Sequence, residues 1–299
     1  MKVLISGGSG LIGRRLSEVL LAAGHQPAWL GRKAPESLPS GIRFFSWNPE
    51  KREMEAEAVT WAEAVINLAG ASIGENPWNK EGRKLILESR LKTVQTLTHH
   101  FSGRGPLRAF TGISGAGFYG PGQRAFREVD AAGSDFPAKV AAEWEKEYHH
   151  FQQTCKPEHF CLLRLAVVLS KTGGALEKMV LPFRFGAGAV LGSGRQPFNW
   201  IHLEDAVQIM ACSLEWDGVF NASAPAADDN RELSRQLARV LGRPMLLPPV
   251  PGFILKMALG ERSSLVLQGN SSNVEKLLGH GYRFRFADLK SALTDLLSK

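Results

Sequence analysis

The chain has 299 residues, enough for one large domain or two smaller ones with a sizeable core. Its 44% hydrophobic and 22% charged content is that of an ordinary globular protein, which excludes a disordered chain, a collagen-like repeat and a disulfide scaffold. The net charge of +7 comes without a long Lys/Arg run, and the densest basic groups, Arg14-Arg15, Arg32-Lys33 and Arg83-Lys84, lie far apart in sequence. No nucleic-acid partner is therefore expected, and the excess suits a phosphate-bearing small molecule and solvated faces.

Cys155, Cys161 and Cys212 form no C-x-x-C pair, so neither a disulfide framework nor a metal site is expected. Met1-Lys2 runs straight into Val3-Leu4-Ile5 and then glycines, unlike a signal or transit segment. The apolar stretches fall well short of the roughly 18 residues of a membrane span. The expectation is a cytoplasmic protein with no membrane partner. No sequence feature fixes an oligomeric state.

Along the chain, Lys2–Ser6 reads as a short buried strand stopped by two glycines. Leu16, Val19, Leu20 and Ala23 then recur at helical spacing, and Gly24 is a C-terminal stop. Pro27–Leu30, Ala64–Leu68, Arg108–Ser114 and Phe160–Leu165 read as further strands, with helices over 80–101 and 138–153. Continuous apolar strands separated by helices predict an α/β protein with a Rossmann-type, doubly wound parallel sheet. Gly173–Pro197 is rich in Gly and Pro, and 232–299 mixes short helices with a turn at Pro248-Pro249. The expected division is a dinucleotide-binding domain over 1–230 and a smaller, substrate-side C-terminal lobe over 231–299. The apolar segment Phe253–Leu259 is expected to pack within its own domain.

Gly7-Gly8-Ser9-Gly10-Leu11-Ile12-Gly13 places G-x-x-G-x-x-G between a predicted strand and a predicted helix. Glycines at 7 and 10 let the backbone turn and approach a pyrophosphate, whose charge the helix N-terminus stabilises, and Gly13 permits close helix–strand packing. An ordinary strand-to-helix turn is the bland alternative. After the second strand, where an Asp or Glu would hold a ribose 2′-hydroxyl, the chain reads Gly31-Arg32-Lys33. Two cations and no carboxylate suit the 2′-phosphate of NADP, the alternative being solvated loop charges.

The glycine motif, Asn67-Leu68-Ala69-Gly70, Ser114 with Phe118-Tyr119-Gly120, and Trp200-Ile201-His202-Leu203-Glu204-Asp205 occur in the order seen in extended short-chain dehydrogenases/reductases, which the chain resembles. Trp78, Ser89-Arg90, Gly173-Gly174-Ala175, Leu181–Arg184 and Leu191–Gly194 make it similar to the atypical YfcH-like branch, family 39U, of the NAD-dependent epimerase/dehydratase proteins. The resemblance implies an NADP site lined by Gly7, Ser9, Gly10, Leu11, Ile12, the residues from Gly31 to Lys33, the Leu68-Ala69-Gly70 turn and Arg90. It also implies that the C-terminal lobe matches that branch's domain of unknown function.

Most such reductases use Tyr-x-x-x-Lys to move a proton at the substrate oxygen, because a phenol beside Lys⁺ has its pKa lowered toward neutrality. Here the residues four positions after Tyr119, Tyr148 and Tyr282 are Gln123, Gln152 and Phe286. The segment Asp135-Phe136-Pro137-Ala138-Lys139 stands where the motif is expected, with Asp135 in the tyrosine position and Lys139 retaining the lysine. An ordinary acid at a helix N-terminus is the alternative for Asp135. Ser114 matches the strand-end serine that bonds the substrate oxygen, against the alternative of a turn residue. Tyr119 reads as a cleft wall or core aromatic, and His202 with Asp205 as structural. Arg184 or Arg195 could recognise an anionic substrate. Gly112-Ile113-Ser114-Gly115-Ala116 lacks the final glycine of a nucleophile elbow, which disfavours a hydrolase. His99-His100 and His149-His150 lack the i,i+4 spacing of a zinc helix and read as favourable charges at helix ends.

Two functions follow as expectations. One is an NADP-dependent oxidoreductase or epimerase acting on an unidentified small-molecule substrate, with Ser114 polarising the substrate oxygen. The other is a noncatalytic NADP(H)-responsive regulator, linked to cell division through the label some relatives carry.

Overall fold

The computed structural model describes residues 1–298. In chain order the first half contains β1 (Lys2–Ser6), α1 (Leu11–Ala22), β2 (Gln26–Gly31), β3 (Arg43–Asn48), β4 (Glu53–Met54), α2 (Ala56–Trp61), β5 (Ala64–Asn67), α3 (Lys80–Phe101), β6 (Ala109–Gly115), β7 (Ala125–Phe126) and α4 (Phe136–Cys155). There follow β8 (His159–Leu165), β9 (Val167–Leu169), α5 (Gly174–Arg184), β10 (Trp200–His202), α6 (Leu203–Cys212) and β11 (Gly218–Ala222). The chain ends with α7 (Asn230–Val240), α8 (Gly252–Leu259), α9 (Ser264–Leu267), β12 (Ser271–Ser272), α10 (Glu275–Gly279) and α11 (Leu289–Leu297).

An eight-stranded sheet runs in the order β11-β8-β6-β5-β1-β2-β3-β4. The pairs β1–β2, β1–β5, β2–β3 and β5–β6 are parallel, and the short β4 adds antiparallel to its neighbour β3. This is the doubly wound α/β sheet that the apolar strand runs predict. β1 has β2 on one side and β5 on the other, so the chain reverses direction across the sheet there, where such folds open a crevice at the carboxyl ends of the strands.

The chain forms two compact units whose segments alternate along the sequence. One comprises Met1–Gly115, Lys139–Arg164 and Val207–Phe220; the other comprises Ala116–Ala138, Leu165–Ala206 and Asn221–Lys299. The boundary expected at 230 follows chain order, whereas the folded chain crosses between the units repeatedly, a feature no local composition records. In the first unit, Leu4, Leu30, Phe45, Val65, Phe110, Tyr148, Phe151 and Leu162 belong to one core packed on the sheet. The second unit has its own core, including Leu169, Leu176, Trp200, Leu233, Leu237, Phe286 and Leu293.

One local reading is filled in and two are corrected. The Gly/Pro-rich stretch contains α5: Gly173 takes a positive φ of 82° before the helix, and Pro182, which removes one i→i−4 bond, lies two residues from its end. The segment Phe253–Leu259 lies in α8 and does not bury itself: Phe253 is 65% and Met257 79% exposed. Its flank is tethered through Val250, whose N–H donates to the Val190 carbonyl at 2.8 Å, while the apolar side chains of the helix itself stay largely exposed. His149-His150 also lies inside α4, which continues to Cys155, and only His99-His100 occupies a last helical turn.

Candidate functional site

Strand register brings most of the expected cofactor residues to one edge. Ser6 of β1 pairs with Leu30 of β2 and with Asn67 of β5, and Asn67 pairs with Gly112 of β6. The glycine loop, Gly31–Lys33, Leu68–Gly70 and Ser114 therefore all emerge at the carboxyl ends of adjacent strands.

The glycine loop is shaped by its lack of side chains. Gly7 has a positive φ of 72° and its Cα packs closely on the next loop: a Cβ there would lie 3.3 Å from the Ala69 nitrogen and the Leu68 carbonyl carbon. A Cβ on Gly13 would stand 2.5 Å from the Gly7 oxygen and 2.6 Å from the Gly8 Cα, a clash with backbone that cannot give way. Gly10 is the N-cap of α1; no side chain caps the helix and its first turn carries no acid. The orphan N–H groups of that turn are thus left for an anion, with no resident carboxylate in competition.

Arg32 and Lys33 are both exposed, and neither has an ion-pair partner among the described residues. The Leu68–Gly70 turn is pinned from two sides. Ala69 donates its N–H to Ser6 Oγ at 3.2 Å, and Ser6 Oγ donates to Asn67 Oδ1. Ser89 Oγ accepts the Ala71 N–H at 3.1 Å, and Arg90 donates to the Ala71 carbonyl at 2.8 Å. Arg90 also donates to the Ile86 carbonyl at 2.8 Å and lies 5.0 Å from the Trp144 ring. Burial lowers its guanidinium to about 10. Its visible task is to hold the turn.

Asn67 is buried and donates to the Tyr148 hydroxyl at 2.9 Å; that phenol donates in turn to the Ile113 carbonyl at 3.3 Å. Burial pushes the Tyr148 hydroxyl well above the ordinary phenol value. This is the opposite of what a catalytic phenol needs, so the tyrosine within α4 is a core residue. Tyr119 is likewise buried, donating to Asn221 Oδ1 at 2.6 Å and stacking on Phe126.

Ser114 belongs to a cluster that the sequence does not reveal. Its hydroxyl donates to Glu145 Oε1 at 2.6 Å, and Arg164 grips the same carboxylate through Nε to Oε1 at 2.9 Å and Nη2 to Oε2 at 2.8 Å. Ser114, Glu145 and Arg164 are each 4% exposed. A bidentate pair at this depth is rigid, because breaking it strands a charge away from water. With its proton held by Glu145, the Ser114 oxygen presents lone pairs; donating to a substrate oxygen requires giving up the Glu145 bond. Nothing local marks the cluster, since Glu145 lies 31 residues from Ser114 and 19 from Arg164. A polar residue at an inward position of α4 and an Arg inside the apolar run Phe160–Leu165 were the available signals.

Lys139 is exposed. Asp135 is half-buried, accepts the Ala138 N–H at 3.0 Å as a helix-start acid does, and has its carboxyl raised by burial. Arg184 and Arg195 are exposed. His202 and Asp205 are structural: His202 stacks on Phe286 with ring centroids 3.8 Å apart, and Asp205 accepts the Tyr282 hydroxyl at 2.8 Å and the N–H groups of Arg285 and Phe286 at 2.9 Å each.

The model of the NAD dependent epimerase/dehydratase family matches residues 3–223. The chain belongs to that family. A second family model, a domain of unknown function, matches residues 250–296 of this epimerase/dehydratase protein. It is 33% identical over 309 residues to the bovine epimerase family protein SDR39U1, covering 100% of both chains, and 34% identical over 306 residues to YfhF of Bacillus subtilis, covering 100% of this chain and 98% of that one. A crystal structure of human SDR39U1 with NADPH superposes with a TM-score of 0.84 at 29% identity and 99% coverage of each chain. The resemblance drawn from the motifs, and the fold it implies, are thereby established. No helix among the described residues is long and apolar enough to cross a membrane.

Proposed function

We propose that this epimerase/dehydratase-family protein binds NADP(H) at the carboxyl edge of its sheet and acts as an oxidoreductase on a small molecule presented to Ser114. The observation that carries the cofactor is the pairing of a side-chain-free cradle before α1 with two unpartnered cations after β2. The cradle suits a pyrophosphate, and Arg32 and Lys33 suit a further phosphate on the adenosine ribose. The NADPH bound by human SDR39U1 supports the same choice. When bound, the nicotinamide supplies hydride exchange.

The chain's own residues then have separate tasks. Gly7, Gly10 and Gly13 admit the dinucleotide backbone, Ser6 and Asn67 hold the turn at 68–70, and Arg90 fixes its far side. Ser114 bonds the substrate oxygen, while Glu145, itself clamped by Arg164, sets the direction of the Ser114 proton. Lys139 and Asp135 are the remaining titratable candidates for moving the substrate proton. A second reading, the NADP(H)-responsive regulator, is favoured by the engagement of the Ser114 proton with Glu145 and by the burial of Tyr148.

A screen of aldehydes, ketones and alcohols with both redox states of the cofactor separates the two. The enzyme reading predicts that wild-type protein changes nicotinamide absorbance with at least one of them, and that Ser114→Ala loses turnover while keeping nucleotide affinity. Tight nucleotide binding with no turnover in either direction contradicts it in favour of the regulator.

A further inference from the structure

Arg14 and Arg15 are adjacent in the first half of α1, yet they are used differently. Arg15 pairs with Glu18, one helical turn on. Arg14 has no acidic partner. Its Nε donates to the Ser9 carbonyl at 2.8 Å, drawing the guanidinium back over the glycine loop, and its central carbon lies 5.4 Å from the Trp29 ring. The Trp29 side chain is buried and fixed by its own bond from Nε1 to Ser17 Oγ at 2.8 Å. The loop rests on that same indole, since a Cβ on Gly8 would come within 2.1 Å of Trp29 Cδ1.

These contacts place the Arg14 guanidinium where the glycine loop meets β2. Trp29 is two residues before Gly31, and three residues of strand reach Arg32 within about 10 Å. One guanidinium edge is occupied by Ser9, one face looks toward the indole, and the two terminal nitrogens have no partner among the described residues. A guanidinium held by a carbonyl and an aromatic ring has lost much of the freedom that a flexible surface cation must give up on binding. Its donors suit a phosphate dianion, to which they can bond bidentately.

We infer that Arg14 is a third cation of the adenosine-phosphate subsite, acting with Arg32 and Lys33 to select a 2′-phosphorylated dinucleotide. This rests on the NADP(H) reading and adds to it a residue from α1, outside the loop after β2. It also separates Arg14 from a merely structural clamp. If Arg14 only braced Ser9, its loss would weaken every nucleotide that uses the glycine loop; as a phosphate ligand, it matters only for ligands carrying the extra phosphate.

The test is calorimetric titration of the full chain with adenosine 2′,5′-bisphosphate and adenosine 5′-monophosphate, at one fixed low salt concentration, for wild type, Arg14→Ala, Arg14→Lys and Arg32→Ala. A charge-assisted contact at an exposed site corresponds to about a tenfold change in affinity. Arg14→Ala is expected to cut the preference for the bisphosphate about tenfold and leave the monophosphate unchanged, with Arg14→Lys between Ala and wild type. An unchanged preference in Arg14→Ala overturns the inference, and so does an equal loss for both ligands, which makes Arg14 a loop brace. A wild type that binds the two ligands alike overturns the NADP(H) reading itself, whatever the variants do.

Discussion

Two regions of the same unit handle charge in opposite ways. At the end of β2 Arg32 and Lys33 are exposed and without ion-pair partners among the described residues, and the start of α1 after the glycine loop has no side-chain cap. At the end of β6 the polar groups are buried and satisfy one another: Ser114 bonds Glu145, and Glu145 bonds Arg164 twice. The first region is open for an anionic ligand, and its cost is left to be met by binding. The second is complete without a ligand, so any substrate must fit around an existing network. Under the proposed function, nucleotide binding and chemistry at Ser114 are therefore separable properties, and substitutions in one region should leave the other intact.

The largest expected effect lies in the buried cluster. Arg164→Met leaves the Glu145 carboxylate uncompensated in the core and should lower unfolding free energy by about 3–5 kcal/mol, measured by denaturant titration. A loss below 1 kcal/mol would mean that water reaches Glu145. At the open region, Gly13→Ala forces backbone apart and should cost about 1–3 kcal/mol in stability while weakening NADPH and NADH together. Unaltered affinity for both would contradict the cradle.

Tyr148→Phe is smaller. It removes the hydroxyl between Asn67 and Ile113 and should cost about 1–2 kcal/mol, with nucleotide affinity and the pH profile of any turnover unchanged. A shifted profile would return Tyr148 to the chemistry. The smallest effect serves as a control outside both regions. Burial holds the His202 imidazole below its ordinary value of 6.5, against the opposing pull of Asp295, Asp205 and Glu204. The unfolded chain then takes up that proton first, so the contribution is full above about pH 6.5 and is lost as pH falls through the depressed value. Thermal unfolding at about pH 7.5 and pH 5.5 should show a larger acid loss in wild type than in His202→Gln; equal losses would remove His202 from the account.

The same contrast explains what was legible in the sequence. β1, β5, β6 and β8 are continuous apolar runs, and the glycine motif is contiguous, so local pattern suffices for the sheet and for the cradle. Arg32 and Lys33 were legible because they replace an expected carboxylate at a fixed offset. The Glu145 bonds were not, because they join β6, α4 and β8 across long separations and depend on which face of α4 turns inward. α5 was obscured by Gly173, Gly174 and Pro182, residues that punctuate chains when judged locally but here start and finish a helix. The pinning of the 68–70 turn by Ser6, Ser89 and Arg90 is likewise a tertiary fact. Resemblance named Arg90, and the structure shows what it holds.

Under the proposed function, the exposed cations after β2 select a phosphorylated adenosine ribose. The most direct test of this is titration of NADPH and NADH into wild-type protein and Arg32→Ala, followed by calorimetry and nicotinamide fluorescence at one salt concentration. Wild type should bind NADPH tightly and NADH weakly, and the variant should lose about ten- to hundredfold in affinity for NADPH alone. Equal affinity of wild type for the two cofactors, or no binding of either, would contradict it.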